Sequence, residues 1–232
     1  MKRTTPPKKA TARSKGSAKP KAGRKTIVKR VKAVIDPRVI ELQTQANRAM
    51  AKGRLDLAID LLTQALAIGQ LPFEIEYDLL KQRGLCNSYV GHNAASMADA
   101  QAMFRLAKQQ GDVSRQAAAL LPWVDAARNA GAAFIREIVK LATRLERQSS
   151  DPHVQADCLF VLAFGSWVDN QLPQAAQQIE DAVRFYRESG NRSAEAYGLQ
   201  NVSGIYRFMG KADEARQAAQ AALSLYRAFG DR

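Results

Sequence analysis

"GRLDLAIDLLTQAL" at residues 53–66 and "GKADEARQAAQAAL" at residues 210–223 are two copies of one pattern. Each opens on a glycine and then sets apolar or small residues three and four apart, the spacing of one helix face. Three weaker copies lie between them. One marker column reads Ala58, Ser96, Ile135, Ala175, Ala215; a second, seven residues on, reads Ala65, Met103, Ala142, Ala182, Ala222. The successive offsets are 38, 39, 40 and 40 residues. A self-similar period of this size means stacked supersecondary units, none of which buries its apolar face alone.

Helix boundaries repeat with the same phase. Asp36-Pro37 and Asp151-Pro152 are start signals. The Asp carboxylate accepts from a free N–H of the first turn, and the proline lacks an N–H that is unpaired there anyway. Gly111-Asp112-Val113-Ser114 and Gly190-Asn191-Arg192-Ser193 repeat the signal in another form. Gly53, Gly91, Ala130, Asn170 and Gly210 break each unit in two. These marks predict helices over 37–52 and 55–69, 73–90 and 93–110, 113–129 and 131–148, 152–169 and 172–189, 192–209 and 212–229. No stretch shows the strict alternation of a half-buried strand. The prediction is an all-α repeat domain over 36–232, made of five antiparallel helix pairs. Pro122 inside the third unit's first helix predicts a kink and a distorted third repeat.

These columns resemble the tetratricopeptide repeat. At its position 4, where a bulky apolar residue is expected, stand Leu42, Leu80, Ala119, Leu159 and Leu199; at position 8, where a small one is expected, stand Ala46, Gly84, Trp123, Ala163 and Ser203. Position 24 reads Leu62, Ala100, Val139, Ile179 and Ala219. Trp123 and Ile135, at small-residue sites, make the third unit the poorest match. The resemblance implies a right-handed α-α superhelix that binds other proteins. A period near 40, against about 34 in the usual form, resembles the longer bacterial variety. Arrays of that kind commonly sit beside nucleotide cyclase, histidine kinase or transcription-activator domains, which implies a sensory or scaffolding role at the N-terminal part of a larger bacterial signalling protein. Gly230-Asp231-Arg232 stands 40 residues after Gly190-Asn191-Arg192 and reads as the start of a sixth unit. The alternative is that the last helix caps the array or forms a homo-dimer.

The resemblance also implies an inner, concave groove lined by first-helix positions. A protein or peptide partner there would meet Asn47, Lys81, Leu120, Phe160, Phe164, Trp167, Tyr197 and Arg207. Asn47 matches one position of the carboxylate clamp of chaperone-binding relatives, but Gln43 stands where a lysine is expected, which argues against a clamp. Phe160, Phe164 and Trp167 form an aromatic stripe on one helix. Aromatics are favoured anchors for a partner, and stripes at helical spacing also build cores.

The net charge of +13 is local. Residues 1–35 hold 13 Lys or Arg and no acid, whereas the remainder carries 22 basic and 22 acidic residues. Lys8, Lys9, Arg13, Lys21, Arg24, Lys25, Lys29 and Arg30 are the candidates for an anionic partner. This stretch has almost nothing to bury, which predicts a disordered basic tail. Non-specific nucleic-acid contacts, an anionic membrane surface or acidic partner, and a merely solvated tail all fit it. A nucleic-acid-associated protein anchored by this tail is the alternative function, although the tail lacks aromatics for base stacking.

Catalytic patterns are absent. His92 and His153 fall near predicted loops, and no H-E-x-x-H, phosphate-binding Gly loop or nucleophile elbow occurs. Glu74/Glu76 and Glu180/Asp181 read as charged helix surface. Cys86 and Cys158 lie in different units and predict buried, reduced thiols in a cytoplasmic protein. No run approaches the ~18 apolar residues of a membrane span. The expectation is a non-enzymatic module without cofactor or metal.

Overall fold

The computed structural model describes residues 35–129 and 131–228. The basic tail up to residue 34, Ala130 and the Gly230-Asp231-Arg232 signal lie outside the described residues. Among the described residues ten α-helices stand in the predicted order: α1 Pro37–Ala51, α2 Leu55–Ala67, α3 Phe73–Tyr89, α4 Asn93–Gln110, α5 Val113–Ala126, α6 Ala132–Gln148, α7 Pro152–Val168, α8 Leu172–Glu188, α9 Arg192–Phe208 and α10 Ala212–Ala228. No strand occurs among the described residues. Each second helix packs on the first helix of the next unit, so the array is a solenoid of five helix pairs.

The start signals act as capping chemistry requires. Asp36 accepts from the Arg38 N–H at 2.9 Å, Asp112 from Arg115 at 2.9 Å, Asp151 from His153 at 2.8 Å and Asn191 from Ala194 at 3.2 Å. Asn170 closes its hairpin at φ 59°, the left-handed region that Asn tolerates best after Gly. Both marker columns are buried throughout, because small side chains there let paired helices approach. Among the described glycines, Gly198 of α9 has the least room for a side chain. A Cβ there would stand 2.5 Å from Val183 Cγ2 of α8.

Two buried carboxylates find basic partners. Asp99 of α4 takes a two-pronged bond from Arg83 of α3, at 3.1 and 2.5 Å, with Asn87 at 3.4 Å. Glu195 of α9 binds Arg187 at 2.7 Å and Arg192 at 2.8 Å. Burial alone would raise the Glu195 carboxyl, but these two guanidiniums outweigh it and hold it below its ordinary value.

The third unit departs from the others. α5 passes through Pro122 but ends at Ala126, followed by a 3-10 turn over Ala127–Asn129, where an α-helix to 129 was predicted. Pro122 supplies no N–H to the carbonyl four residues back, which loosens this helical end. Trp123, in the small-residue column, turns edge-on to Phe104 of α4, with ring centroids 5.8 Å apart. α5 meets its own partner α6 over a shorter stretch than in the other hairpins and packs directly on α7.

The core falls into two clusters. Val39, Ala46, Leu62, Leu79 and Cys86 belong to one; Tyr77, Leu80 and the interior of units two to five form the other. α3 contributes to both, so it is buried on two faces. Cys86 and Cys158 are free and buried.

Candidate functional site

Inner-face geometry is set by α5, α7 and α9. The direct packing of α5 on α7 covers Ala117, Leu120, Val124 and Ala127, all with no exposed surface. Phe160 is likewise fully buried and Phe164 nearly so. Leu120, Phe160 and Phe164 are therefore buried, and for the two phenylalanines this is the core packing that the sequence left open beside the groove. The cause is the displaced third unit, which brings α7 over the face of α5 that the groove needed open. Asn47 on α1, Lys81 on α3 and Arg207 on α9 are exposed. They are not gathered into one recess.

Trp167 and Tyr197 are brought together. They line a recess of about 230 Å³ with Asp125, Arg128, Gln200, Asn201 and Gly204. The buried phenylalanines link its two aromatic rings. Tyr197 stacks on Phe160 at 5.1 Å, Phe160 meets Phe164 at 5.5 Å, Phe164 stacks on Trp167 at 6.3 Å, and Trp167 meets Phe208 edge-on at 5.4 Å. This aromatic ladder runs from the core to Phe208, which is 67% exposed. Rings fixed in this way lose little rotamer freedom when a partner covers them.

One wall is a charged clasp. Arg128 pairs with Asp125 at 2.6 Å and donates to Asn201 Oδ1 at 2.8 Å, across 73 residues of sequence. Its guanidinium lies 5.1 Å from the centroid of Phe164. Asn201 Nδ2 donates to the Tyr197 carbonyl at 2.8 Å. Burial, with the Asp125 carboxylate beside it, pushes the Tyr197 phenol well above its ordinary value, so it stays a neutral donor. A Cβ built on Gly204 would meet nothing within 4 Å, so the recess is open on that side.

Asp125, Arg128 and Asn201 were not found by sequence reasoning. Val124 and Ala127 are buried, while their neighbours Asp125 and Arg128 line the recess. No spacing rule signals a contact between the third and fifth units.

At the other end of α7, Asp157 accepts from Tyr186 Oη at 2.7 Å. Burial pushes its carboxyl up to about 6, against the lowering effect of Tyr186, His153 and Lys81, while Asp151 adds to the rise. No group of three or more His, Cys, Asp or Glu able to hold a metal occurs among the described residues, and no described helix is long and apolar enough to cross a membrane.

No family model matches the chain, and no curated protein matches it. Solved structures do. The Rap protein complexed with Competence and Sporulation Factor aligns at TM-score 0.62 and 14% identity, over 85% of this chain and 56% of that one. The tetratricopeptide-repeat protein TTC0263 of Thermus thermophilus aligns at 0.53 and 18%, over 81% and 91%. The nearly identical TPR-like repeats of a putative kinesin light chain from Podosopora anserina align at 0.52 and 14%, over 86% and 100%. Likeness at such identities concerns the course of the backbone, and it agrees with the sequence columns: the chain has the fold of a tetratricopeptide-like α-solenoid.

Proposed function

We propose that the chain is a non-enzymatic, cytoplasmic protein-interaction scaffold that holds a segment of a partner protein in the recess between α5, α7 and α9. The observation that carries this reading is the aromatic ladder that ends in the half-buried Trp167 and the exposed Phe208, beside the Arg128–Asp125–Asn201 clasp. An aromatic anchor with fixed hydrogen-bonding groups at its rim is the arrangement in which a few residues supply most of a binding energy. The similar Rap protein, complexed with Competence and Sporulation Factor, supports binding as the mode of action. The 40-residue period, by its resemblance to long bacterial repeats, supports a place in a larger signalling protein.

The test is a selection of displayed random peptides on the full chain, run in parallel on Trp167→Ala. Recovery of a peptide class that the wild type binds and Trp167→Ala does not, at an unchanged thermal midpoint, supports the reading. Recovery of no peptide above background, or equal binding by both proteins, refutes it.

A further inference from the structure

Among the described residues four glycines lie inside α-helices: Gly84 in α3, Gly165 in α7, and Gly198 and Gly204 in α9. Glycine weakens a helix interior more than any residue except proline, so each calls for a cause. Three have one in the packing. A Cβ on Gly84 would stand 3.2 Å from Asp99 Cβ, on Gly165 2.9 Å from Val139 Cγ2, and on Gly198 2.5 Å from Val183 Cγ2. Gly204 has none. Its backbone is not left-handed, and a Cβ there would meet no atom of the chain within 4 Å. Gly204 lines the recess, one helical turn after Gln200 and one before Phe208 on the same face of α9. The missing side chain is thus a gap in a surface shared with Trp167, Tyr197 and Asn201. Its place in the array does not explain it. The matching positions in α1 and α3 are Asn47 and Leu85, and both are exposed although further units follow them.

We infer that Gly204 determines the specificity of the recess: it is bare so that an aromatic side chain of the partner can lie against the backbone of α9. This rests on the recess being a partner site, as proposed above. The chemistry of the occupant follows from size, rings and charge. The recess holds about 230 Å³, below the roughly 300–1,000 Å³ of sites that enclose a free small molecule and suited to one large side chain. Trp167 meets Phe208 edge-on at 5.4 Å and Tyr197 stacks on Phe160 at 5.1 Å, arrangements that a further ring extends. Arg128 and Asp125, paired at 2.6 Å, already neutralise each other, which favours an uncharged occupant. Phe208 stands outside the recess lining and is 67% exposed, so the ring belongs to a chain that runs on over Phe208 rather than to a free molecule. A side chain at position 204 would project into the space that the ring takes.

The test uses the full chain and its variants Gly204→Ala and Gly204→Leu, with random peptides selected on the wild type. Without peptide, Gly204→Ala should raise the thermal midpoint by about 2–4 °C, since the helix gains and nothing is crowded. The selected peptides should share a Trp, Tyr or Phe at one fixed place. Affinity of labelled synthetic copies, read by fluorescence anisotropy, should fall about tenfold or more with Gly204→Leu and less with Gly204→Ala. Replacing the shared aromatic by alanine should make the wild type and Gly204→Leu bind alike. If the leucine lowers the midpoint, Gly204→Ala decides alone: weaker binding supports the inference, and equal or tighter binding overturns it. A lowered midpoint in Gly204→Ala also overturns it, because the fold itself then needs the glycine. Peptides that lose binding with Trp167→Ala but are indifferent to Gly204→Leu, or that share no aromatic, overturn it and leave the recess as a partner site. Recovery of no peptide overturns that reading and this inference together.

Discussion

Asp157 is a carboxylate that the fold holds at a cost, and Asp157→Asn measures that cost. Its carboxyl is raised from 3.8 to about 6, chiefly by burial. Between those values the native state keeps a proton that the unfolded chain has lost, so stability falls as pH rises from about 4 to 6 and the full penalty is present above 6. The rise corresponds to roughly 3 kcal/mol, an upper bound because the side chain keeps some exposure. The asparagine carbonyl still accepts from Tyr186 Oη, whereas its amide introduces N–H groups that need partners, at about 1 kcal/mol. We expect Asp157→Asn to be more stable than the wild type by about 1–2 kcal/mol at pH 8. That gain should vanish or reverse at pH 3.5. Urea unfolding of both proteins, followed by circular dichroism across that range, gives the difference at each pH. A difference that does not change with pH would refute the reasoning. So would destabilisation at pH 8, which would mean that Tyr186, His153 and Lys81 stabilise the charge more than burial penalises it.

Other consequences of the packing are open to the same assay. Gly198→Ala drives a methyl to within 2.5 Å of Val183 Cγ2 and should cost about 1–3 kcal/mol, with part of the loss recovered by adding Val183→Ala. Arg83→Leu strands the buried Asp99 carboxylate and should cost about 3 kcal/mol in urea unfolding, more than the double change Arg83→Leu, Asp99→Leu. Asp112→Ala removes the bond to the Arg115 N–H and should lower stability by about 1 kcal/mol, with faster amide exchange confined to the first turn of α5.

The helical organisation was legible because it is written in local chemistry. The range 93–110 is α4 to the residue, and Asp36, Asp112, Asp151 and Asn191 cap the helices that they were expected to start. The strain in the third unit was legible too, from Pro122 and Trp123. Its outcome was not. Which face of α5 becomes interior depends on how α4, α6 and α7 share the space around it, and that is a property of several helices at once. For that reason Leu120, Phe160 and Phe164 are core, whereas Trp167 and Tyr197 keep a place at the surface. The Arg128–Asn201 bond joins units that are not sequential neighbours, so no periodicity within a unit could announce it.

The double duty of α3 has a further consequence. A solenoid whose interior was one continuous cluster would melt as one block. Here Leu79 and Cys86 answer to the first unit, while Tyr77 and Leu80 answer to the rest. A boundary between two interiors is where a linear array parts most readily. We expect α1 and α2 to open before the recess built by α5, α7 and α9, which amide hydrogen exchange resolved by residue would show as lower protection in the first two helices.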